Sequence, residues 1–260
     1  MIDTNVYFSR WPFRRLPLDD TALLAQRLRA AGITRAWIGS FDALLHKDIA
    51  AVNARLAAEC ALHGELFAPF GAVNPSLPDW QEDVRRCREV HGMRGIRLHP
   101  NYHGYALDDP RLAELLTLAA QQQLIVQIAV RMEDDRTQHP LVRVPGVDLA
   151  TLGAVLKSHP TVQVQLLNSG RDVMPALLRE LAERPNVWLE FAMTEGVGGV
   201  EQLASQFPFE RVLLGTYAPF FPIDSSLLKL EESDLGYTLH QRLTRTNAEQ
   251  LLRLAARQNA

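Results

Sequence analysis

Short apolar segments that are typical of β-strands alternate with amphipathic helical segments along the whole chain. Eight strand segments can be assigned, at residues 2–8, 35–39, 66–73, 95–99, 124–130, 161–167, 186–192 and 211–215. Each is followed by a helical pattern, at 19–31, 48–63, 80–91, 110–122, 149–159, 172–183, 200–206 and 224–233, and a last helix is predicted at 247–257. This alternation favours a parallel sheet, because parallel neighbours need long crossover connections.

Eight such units without an internal linker predict one α/β domain over residues 1–260, a single (β/α)8 TIM barrel. The length of 260 residues suits one barrel domain. An open doubly wound sheet would usually carry a glycine-rich phosphate loop after its first strand, and the sequence has no such motif.

Composition narrows the class of protein further. The formal net charge is −3 and 22% of the residues are charged, which argues against a nucleic-acid partner. The first residues lack the features of a secretory signal, and no run approaches the ~18 apolar residues of a membrane span. Two cysteines, Cys60 and Cys87, lie inside predicted helices and are expected to be ordinary thiols. A soluble, cytoplasmic protein without a membrane partner is the expectation.

The stretch GIRLHPNYHGYALDDP at residues 95–110 is the richest in polar groups that could do chemistry. Arg97 and His99 share one face of a strand that Pro100 ends, and His103 follows in the next loop. Asp109 and Pro110 then give the cap and first residue of a helix. The pattern is one complete strand, loop and helix unit.

Active sites of (β/α)8 barrels form at the carboxyl ends of the strands and in the loops that follow them. Applied to the predicted strands, this rule selects a set of polar candidates: Asn5, Tyr7, Asp42, His46, Asn74, Arg97, His99, His103, Arg131, Glu133, Asp134, His139, Asn168, Glu190, Glu195, Thr216 and Tyr217.

The order of several segments resembles the amidohydrolase-related family of metal-dependent hydrolases. The resemblance covers nearly the whole chain, through IDTNVYF, GIRLHP, LDDPRLAELLTLAAQQQLIVQIAV, VQVQLLNSG, NVWLEFA, RVLLGTYAPF, SSLLKLEES and TNAEQLLRL. It implies a barrel hydrolase whose divalent metal is held by residues at the strand ends.

The positions at which the resemblance implies metal ligands hold other residues. Two histidines would be expected on the first strand, where Asn5 and Tyr7 stand. Histidines would be expected after strands five and six, where Ala129 and Asn168 stand, and an aspartate after strand eight, where Tyr217 stands. Amide, phenol and methyl groups do not provide the ligands of a zinc site, so no cofactor is expected there.

Three hypotheses follow. The first is a metal-independent hydrolase or lyase that acts on a small carbonyl or carboxylate compound, such as a lactone or amide. His99, His103 and Tyr217 would do the acid–base and oxyanion chemistry. Nine of the candidates would bind the substrate, with Arg97 or Arg131 on its carboxylate: Asn5, Tyr7, Arg97, Arg131, Asn168, His139, Glu133, Asp42 and His46.

The second hypothesis is a relocated divalent metal such as zinc, held by His99, His103 and His139. The third is a non-catalytic binding or scaffold protein that keeps the barrel without the chemistry. In each case the partner is a small and potentially anionic molecule. A homodimer is a further expectation, because the loop at 10–15 and the apolar residues Phe220, Phe221 and Pro222 would lie near the barrel mouth.

Overall fold

The computed structural model describes residues 1–257, apart from the side chain of Arg171, and residues 258–260 of the predicted domain lie outside the described part. The strands are β1 Ile2–Phe8, β2 Arg35–Ser40, β3 Phe67–Pro69, β4 Gly71–Ala72, β5 Gly95–Leu98, β6 Ile125–Ala129, β7 Val164–Leu167, β8 Val187–Glu190 and β9 Val212–Leu213. Neighbours pair in parallel in two runs, β1 to β3 and β4 to β9.

Hydrogen bonds join the two runs into a ring. β3 and β4 are two parts of one barrel strand, interrupted at Phe70, whose N–H still donates to the Ile38 carbonyl of β2 at 2.8 Å. On the other side of the ring, the Thr4 N–H of β1 donates to the Leu214 carbonyl beyond β9 at 2.9 Å. The predicted α/β barrel of eight strands is confirmed.

The helices surround the strands in the predicted order. They are α1 Thr21–Ala30, α2 Ile49–Ala61, α3 Trp80–Glu89, α4 Pro100–His103, α5 Pro110–Gln121, α6 Leu152–Ser158, α7 Pro175–Ala182, α8 Gly199–Gln206, α9 Ile223–Glu232, α10 Tyr237–Gln241 and α11 Asn247–Ala256. Most are a few residues shorter than predicted. Two were not predicted: α4, a single turn in the loop after β5, and α10. None of the helices in the described chain is long and apolar enough to cross a membrane.

Polar side chains fill part of the barrel interior and bond to one another. The Arg97 Nε donates to the Gln127 Oε1 at 2.8 Å, and the Gln127 Nε2 donates to the Gln165 Oε1 at 2.8 Å. The Gln165 Nε2 then donates to the Thr4 hydroxyl at 2.7 Å. Because each group has a partner, the layer avoids the cost of burying polar atoms alone.

Asp3 fastens β1 to the segment after β9. Its carboxylate accepts the N–H of Thr216 at 3.0 Å, the Thr216 hydroxyl at 2.5 Å and the N–H of Asn5 at 3.1 Å. The side chain is fully buried, and burial raises the pKa of Asp3 from 3.8 to about 7 although these hydrogen bonds lower it.

The loop after β1, residues 9–18, crosses the mouth of the barrel and is called the mouth loop below. Its Trp11 is buried and meets the rings of Phe41 and Phe220 edge to face, at centroid distances of 5.2 and 5.0 Å. Its Arg14 forms an ion pair with Glu133, whose side chain is only 2% exposed. Aromatic packing and one half-buried ion pair therefore hold the loop in place.

The raised pKa of Asp3 predicts how stability changes with pH. Between about pH 4 and pH 7 the folded state binds this proton and the unfolded state has lost it, so the free energy of unfolding falls as pH rises, by about 1 kcal/mol per pH unit. Denaturant unfolding across this range should show the parent losing stability relative to Asp3→Asn. The exposed Asp234→Asn is the control. Parallel curves for the parent and Asp3→Asn would contradict the prediction.

The Arg14–Glu133 pair predicts a second stability effect. Arg14→Gln leaves the buried Glu133 carboxylate without its charged partner, and we expect it to lower the free energy of unfolding by about 1–3 kcal/mol. The Arg14→Gln/Glu133→Gln double variant should recover part of that loss. Arg245→Gln, which breaks an exposed pair with Glu249, is the matched control and should cost less than about 1 kcal/mol. Equal losses for Arg14→Gln and Arg245→Gln would refute the assignment.

Candidate functional site

A buried carboxylate lies at the carboxyl end of the barrel axis. The Glu190 Oε1 accepts the N–H of Asn168 at 2.6 Å and the Asn5 Nδ2 at 3.2 Å, and its Oε2 accepts the N–H of Ala192 at 2.5 Å. The Asn5 Nδ2 also donates to the Asn168 Oδ1 at 2.7 Å. Burial raises the pKa of Glu190, and the hydrogen bonds from Asn168 and Ala192 oppose that shift.

The backbone has an unusual conformation in the segments that follow β7 and β9. Asn168 and Tyr217 have φ values of 54° and 58°, in the left-handed region. Asparagine tolerates that region, whereas a tyrosine there is uncommon. Both side chains are fully buried. The chain therefore turns sharply where it leaves β7 and β9, and it brings both side chains into the interior.

Tyr7, His99 and Tyr217 occupy the rest of the axis. The Tyr7 hydroxyl and the His99 Nε2 share a hydrogen bond of 3.1 Å, and the Tyr217 hydroxyl donates to the Met132 carbonyl. The two tyrosine rings meet edge to face at 5.8 Å. Burial raises the pKa of both phenols and lowers the pKa of His99 well below 6.5, so all three groups are neutral near pH 7.

Aromatic residues close the space above this group. Phe41 stacks on Tyr7 at 4.6 Å, and Phe220 stacks on Tyr217 at 4.9 Å. Trp11 of the mouth loop meets both phenylalanines. The structure thus brings together the predicted residues Asn5, Tyr7, His99, Asn168 and Tyr217, and it fills the centre of the mouth with them.

The structure gives Arg97 a different place from the one expected of a substrate ligand. It is fully buried, donates to the Val6 carbonyl at 2.9 Å and the Trp37 carbonyl at 3.3 Å, and lies 4.3 Å from the centroid of the Tyr7 ring. Its donors serve the barrel wall, so its predicted contact with a substrate carboxylate does not fit this geometry. The same donors do not reach Glu190, which is held by Asn5 and backbone N–H groups.

His103, Asp42 and His46 lie outside the central group. The His103 Nε2 donates to the Ala43 carbonyl at 2.9 Å, and burial lowers the pKa of this imidazole. Asp42 pairs with Arg55 at 3.4 Å on the outer side of the mouth, and His46 is exposed. Asp42 and His46 therefore do not share a pocket with Tyr7, which their predicted contact with one substrate would require.

The predicted site residues of the long loop after β6 lie in three different surroundings. The Arg131 guanidinium binds Asp172 through two nitrogens, at 2.9 and 2.7 Å, and binds Asp135 at 2.7 Å. Glu133 faces the mouth loop through Arg14, while His139 is exposed and its Nδ1 accepts the Leu141 N–H. Among the described residues, these bonds occupy three of the five N–H donors of Arg131.

An open cavity of about 100 Å³ lies beside the filled centre, against the carboxyl ends of β6, β7 and β8. Its walls include both basic and acidic side chains, together with an amide that also belongs to the central group: Arg131, Asn168, Asp172, Thr194, Glu195 and Lys229. Asn168 thus connects the cavity to Glu190 and Asn5.

Lys229, like Asp172 and Thr194, lines the cavity but was not selected by the sequence analysis. It lies on α9, outside the strand ends, and its Nζ donates to the Ala192 carbonyl at 2.5 Å. Burial lowers the pKa of this amine. The sequence contains one signal, because only three of the 27 lysine and arginine residues are lysines. The structure adds that Lys229 is half-buried.

The geometry can be compared with known proteins. A family model described as Amidohydrolase matches residues 11–254. The fold is similar to a 2,6-dihydroxybenzoate decarboxylase from Rhizobium, with a TM-score of 0.78, 16% identity, and coverage of 97% of this chain and 98% of that one. It is also similar to a manganese-bound 5-carboxyvanillate decarboxylase from Novosphingobium aromaticivorans, with a TM-score of 0.75, 16% identity, and coverage of 97% and 96%.

A TIM-barrel protein from Bordetella bronchiseptica gives a TM-score of 0.75 at 18% identity, with 99% of this chain and 100% of that chain covered. A search of curated proteins by sequence found no match. At these identities the solved structures establish the fold. The family model extends over most of the chain, including the segments that contain His99, Asn168 and Tyr217. The chain belongs to the amidohydrolase family.

Proposed function

We propose that this chain is a metal-independent enzyme of the amidohydrolase family that acts on a small carbonyl compound by hydrolysis or a lyase reaction. The observation that carries the proposal is the cavity beside the axis, where Lys229, Arg131 and Asn168 come together at the carboxyl ends of parallel strands. Two relatives of the same fold are decarboxylases by name, which supports a lyase as much as a hydrolase.

The residues at the strand ends do not fit the metal that the family implies. Asn5 and Asn168 bond to each other, and the phenols of Tyr7 and Tyr217 stay protonated and bond to His99 and Met132. Ala129 offers no donor atom. Because a divalent ion needs several anionic or imidazole ligands, this neutral set supports a site without a metal.

A relocated metal at His99, His103 and His139 is likewise not supported. His99 and His103 lie with ring centroids 5.8 Å apart, but His139 is exposed on the loop after β6. Within residues 1–257, no group of three or more His, Cys, Asp or Glu side chains is arranged to hold a metal ion.

In the proposed enzyme the substrate lies in the cavity, and Asn168 is the residue of the central group that lines its wall. The Asn168 Nδ2 donates one N–H to the Arg131 carbonyl at 2.9 Å, and its second N–H can donate to a substrate oxygen. The N–H groups of Arg131 that have no bond among the described residues can bind a carboxylate or carbonyl oxygen. His99 and Tyr217, the predicted acid–base residues, are buried in the central group and do not line the cavity.

A non-catalytic binding protein is the second candidate, and the filled axis favours it. Tyr7, Tyr217 and Asn5 occupy the place of the expected metal and are fully buried. Such a protein would bind small molecules in the same cavity without converting them. Turnover separates the two candidates.

The metal-independent site predicts the metal content of the purified protein. Protein purified without an affinity tag should contain less than one equivalent of manganese or zinc by elemental analysis. Added manganese should leave the thermal unfolding midpoint unchanged, because an ion that does not bind the folded state cannot stabilise it. One tightly held ion per chain, or a midpoint that rises with manganese concentration, would overturn the proposed site.

The cavity predicts what happens to turnover when a large side chain fills it. Turnover found with a panel of small lactones, amides, aldehydes and oxo acids should fall by at least about 100-fold in Thr194→Trp, because the indole would fill the space that the substrate needs. Val197→Trp is the matched control, since Val197 is 92% exposed and is not a cavity residue.

His99→Ala and His103→Ala test the acid–base roles in the same assay. A loss in His99→Ala, with the fold intact by circular dichroism, would place acid–base work in the central group, and a loss in His103→Ala would place it in the loop after β5. Activity retained by Thr194→Trp would contradict the cavity as the site. Binding without turnover across the panel would leave the non-catalytic candidate.

A further inference from the structure

Lysine is rare in this chain, and its three positions differ sharply. Lys47 and Lys157 are exposed, whereas Lys229 is half-buried and lies in the cavity wall. The other basic residues are arginines, which cannot lose their proton in a protein. Lys229 is therefore the one lysine that faces a small internal space, and it is an amine that can act as a nucleophile when neutral.

The surroundings of Lys229 favour the neutral amine. Burial lowers its pKa, and this effect exceeds the opposing influence of Glu190, Glu195 and Glu232, which raise it. The influence of Glu190 on the pKa of Lys229 is further reduced, because burial raises the pKa of Glu190 and so favours its uncharged form. The Ala192 carbonyl takes one N–H of the amine. A neutral amine then keeps a second N–H and its lone pair.

A purely structural role would also account for the hydrogen bond of Lys229. Lys229 could serve only to satisfy the Ala192 carbonyl at the end of β8 and join α9 to the barrel. That role does not require a cavity beside the amine, nor neighbours that can bind a substrate oxygen. Asn168 and Arg131 line the same cavity and provide N–H donors for such an oxygen.

We propose that Lys229 forms an imine with the carbonyl carbon of a small aldehyde or ketone bound in this cavity. The inference rests on the proposed function, since it takes the cavity to be the substrate site. It narrows the substrate class to compounds whose carbonyl can condense with an amine, in preference to lactones and amides.

The chemical step balances without a further reactant. The lone pair of Lys229 forms the new C–N bond while the carbonyl π pair moves to oxygen, which gives a carbinolamine. The C–O bond then breaks, and the two hydrogens of the amine leave with that oxygen as water. The Asn168 amide can donate to the oxygen while its charge develops. The resulting imine is an electron sink for a lyase step at the neighbouring carbon.

Reductive trapping tests the proposal directly. The full chain is incubated with glycolaldehyde or pyruvate and with cyanoborohydride, which reduces an imine to a stable secondary amine. Modification is then measured for each lysine peptide by mass spectrometry. We expect Lys229 to be modified at least about tenfold faster than Lys47 or Lys157, because the cavity holds the carbonyl compound next to the amine, whereas the two exposed lysines meet it only from bulk solution. The Met1 amine is quantified separately as an exposed-end reference.

Matched variants separate chemistry from folding. Lys229→Arg keeps a donor for the Ala192 carbonyl and should lose the trapped adduct, whereas Lys157→Arg should keep it. Thr194→Trp should protect Lys229 by filling the cavity, while the rates at Lys47 and Lys157 stay unchanged. The neutral glycolaldehyde and the anionic pyruvate together report whether Arg131 favours a carboxylate.

The outcomes distinguish this inference from the function on which it rests. Lys229 modified no faster than Lys47 and Lys157 overturns the imine, even if Thr194→Trp still abolishes turnover of another substrate. An adduct at Lys229 that Thr194→Trp prevents supports the imine, even if no compound in the panel is converted. An adduct that is unaffected by Thr194→Trp would place the reaction outside the cavity and overturn the proposal.

Discussion

The buried carboxylate of Glu190 sets the arrangement of the barrel mouth. A carboxyl group inside a protein is costly unless donors surround it, and its oxygens here receive N–H groups from Asn168, Ala192 and Asn5. Two of these donors belong to the backbone at the ends of β7 and β8, and the third comes from β1. One side chain therefore ties three barrel strands together at the end where the site lies.

This constraint explains why the centre of the mouth is filled. Once Asn5 and Asn168 are committed to Glu190 and to each other, the remaining axis is left to Tyr7, Tyr217 and His99, which bond in turn to neutral partners. Aromatic rings above them exclude water. The cavity consequently lies to one side, between the strand ends and α9. Its wall contains the Asn168 amide and also Lys229 of α9, a helix residue that the strand-end rule does not consider.

Much of the fold was predictable from the sequence, because the alternation of strands and helices repeats eight times and each repeat carries its own signal. Asp109 and Pro110 start α5 as predicted. The interruption of the third barrel strand at Phe70 follows Pro69, which has no N–H to donate to the ladder, whereas the sequence analysis continued one strand over residues 66–73. α4 was missed because Pro100 was taken only as the end of a strand, although proline also begins helices.

The site was predictable only in part, for a related reason. The strand-end rule selected Asn5, Tyr7, Asn168 and Tyr217 correctly as neighbours, but it carries no information on whether side chains leave space or fill it. Arg97 illustrates this difference, since an inward arginine at a strand can serve a ligand or the barrel wall, and the choice depends on the Val6 and Trp37 carbonyls that lie opposite.

The substitutions at the expected metal positions are coupled through these same contacts. An aspartate in place of Tyr217 would bury another carboxylate at a fully buried position, and it would remove the hydrogen bond to Met132. A histidine in place of Asn168 would take away the amide that bonds to Asn5. A metal ligand introduced alone at either position would therefore remove a hydrogen bond that joins it to a neighbouring residue, and we expect it to cost stability.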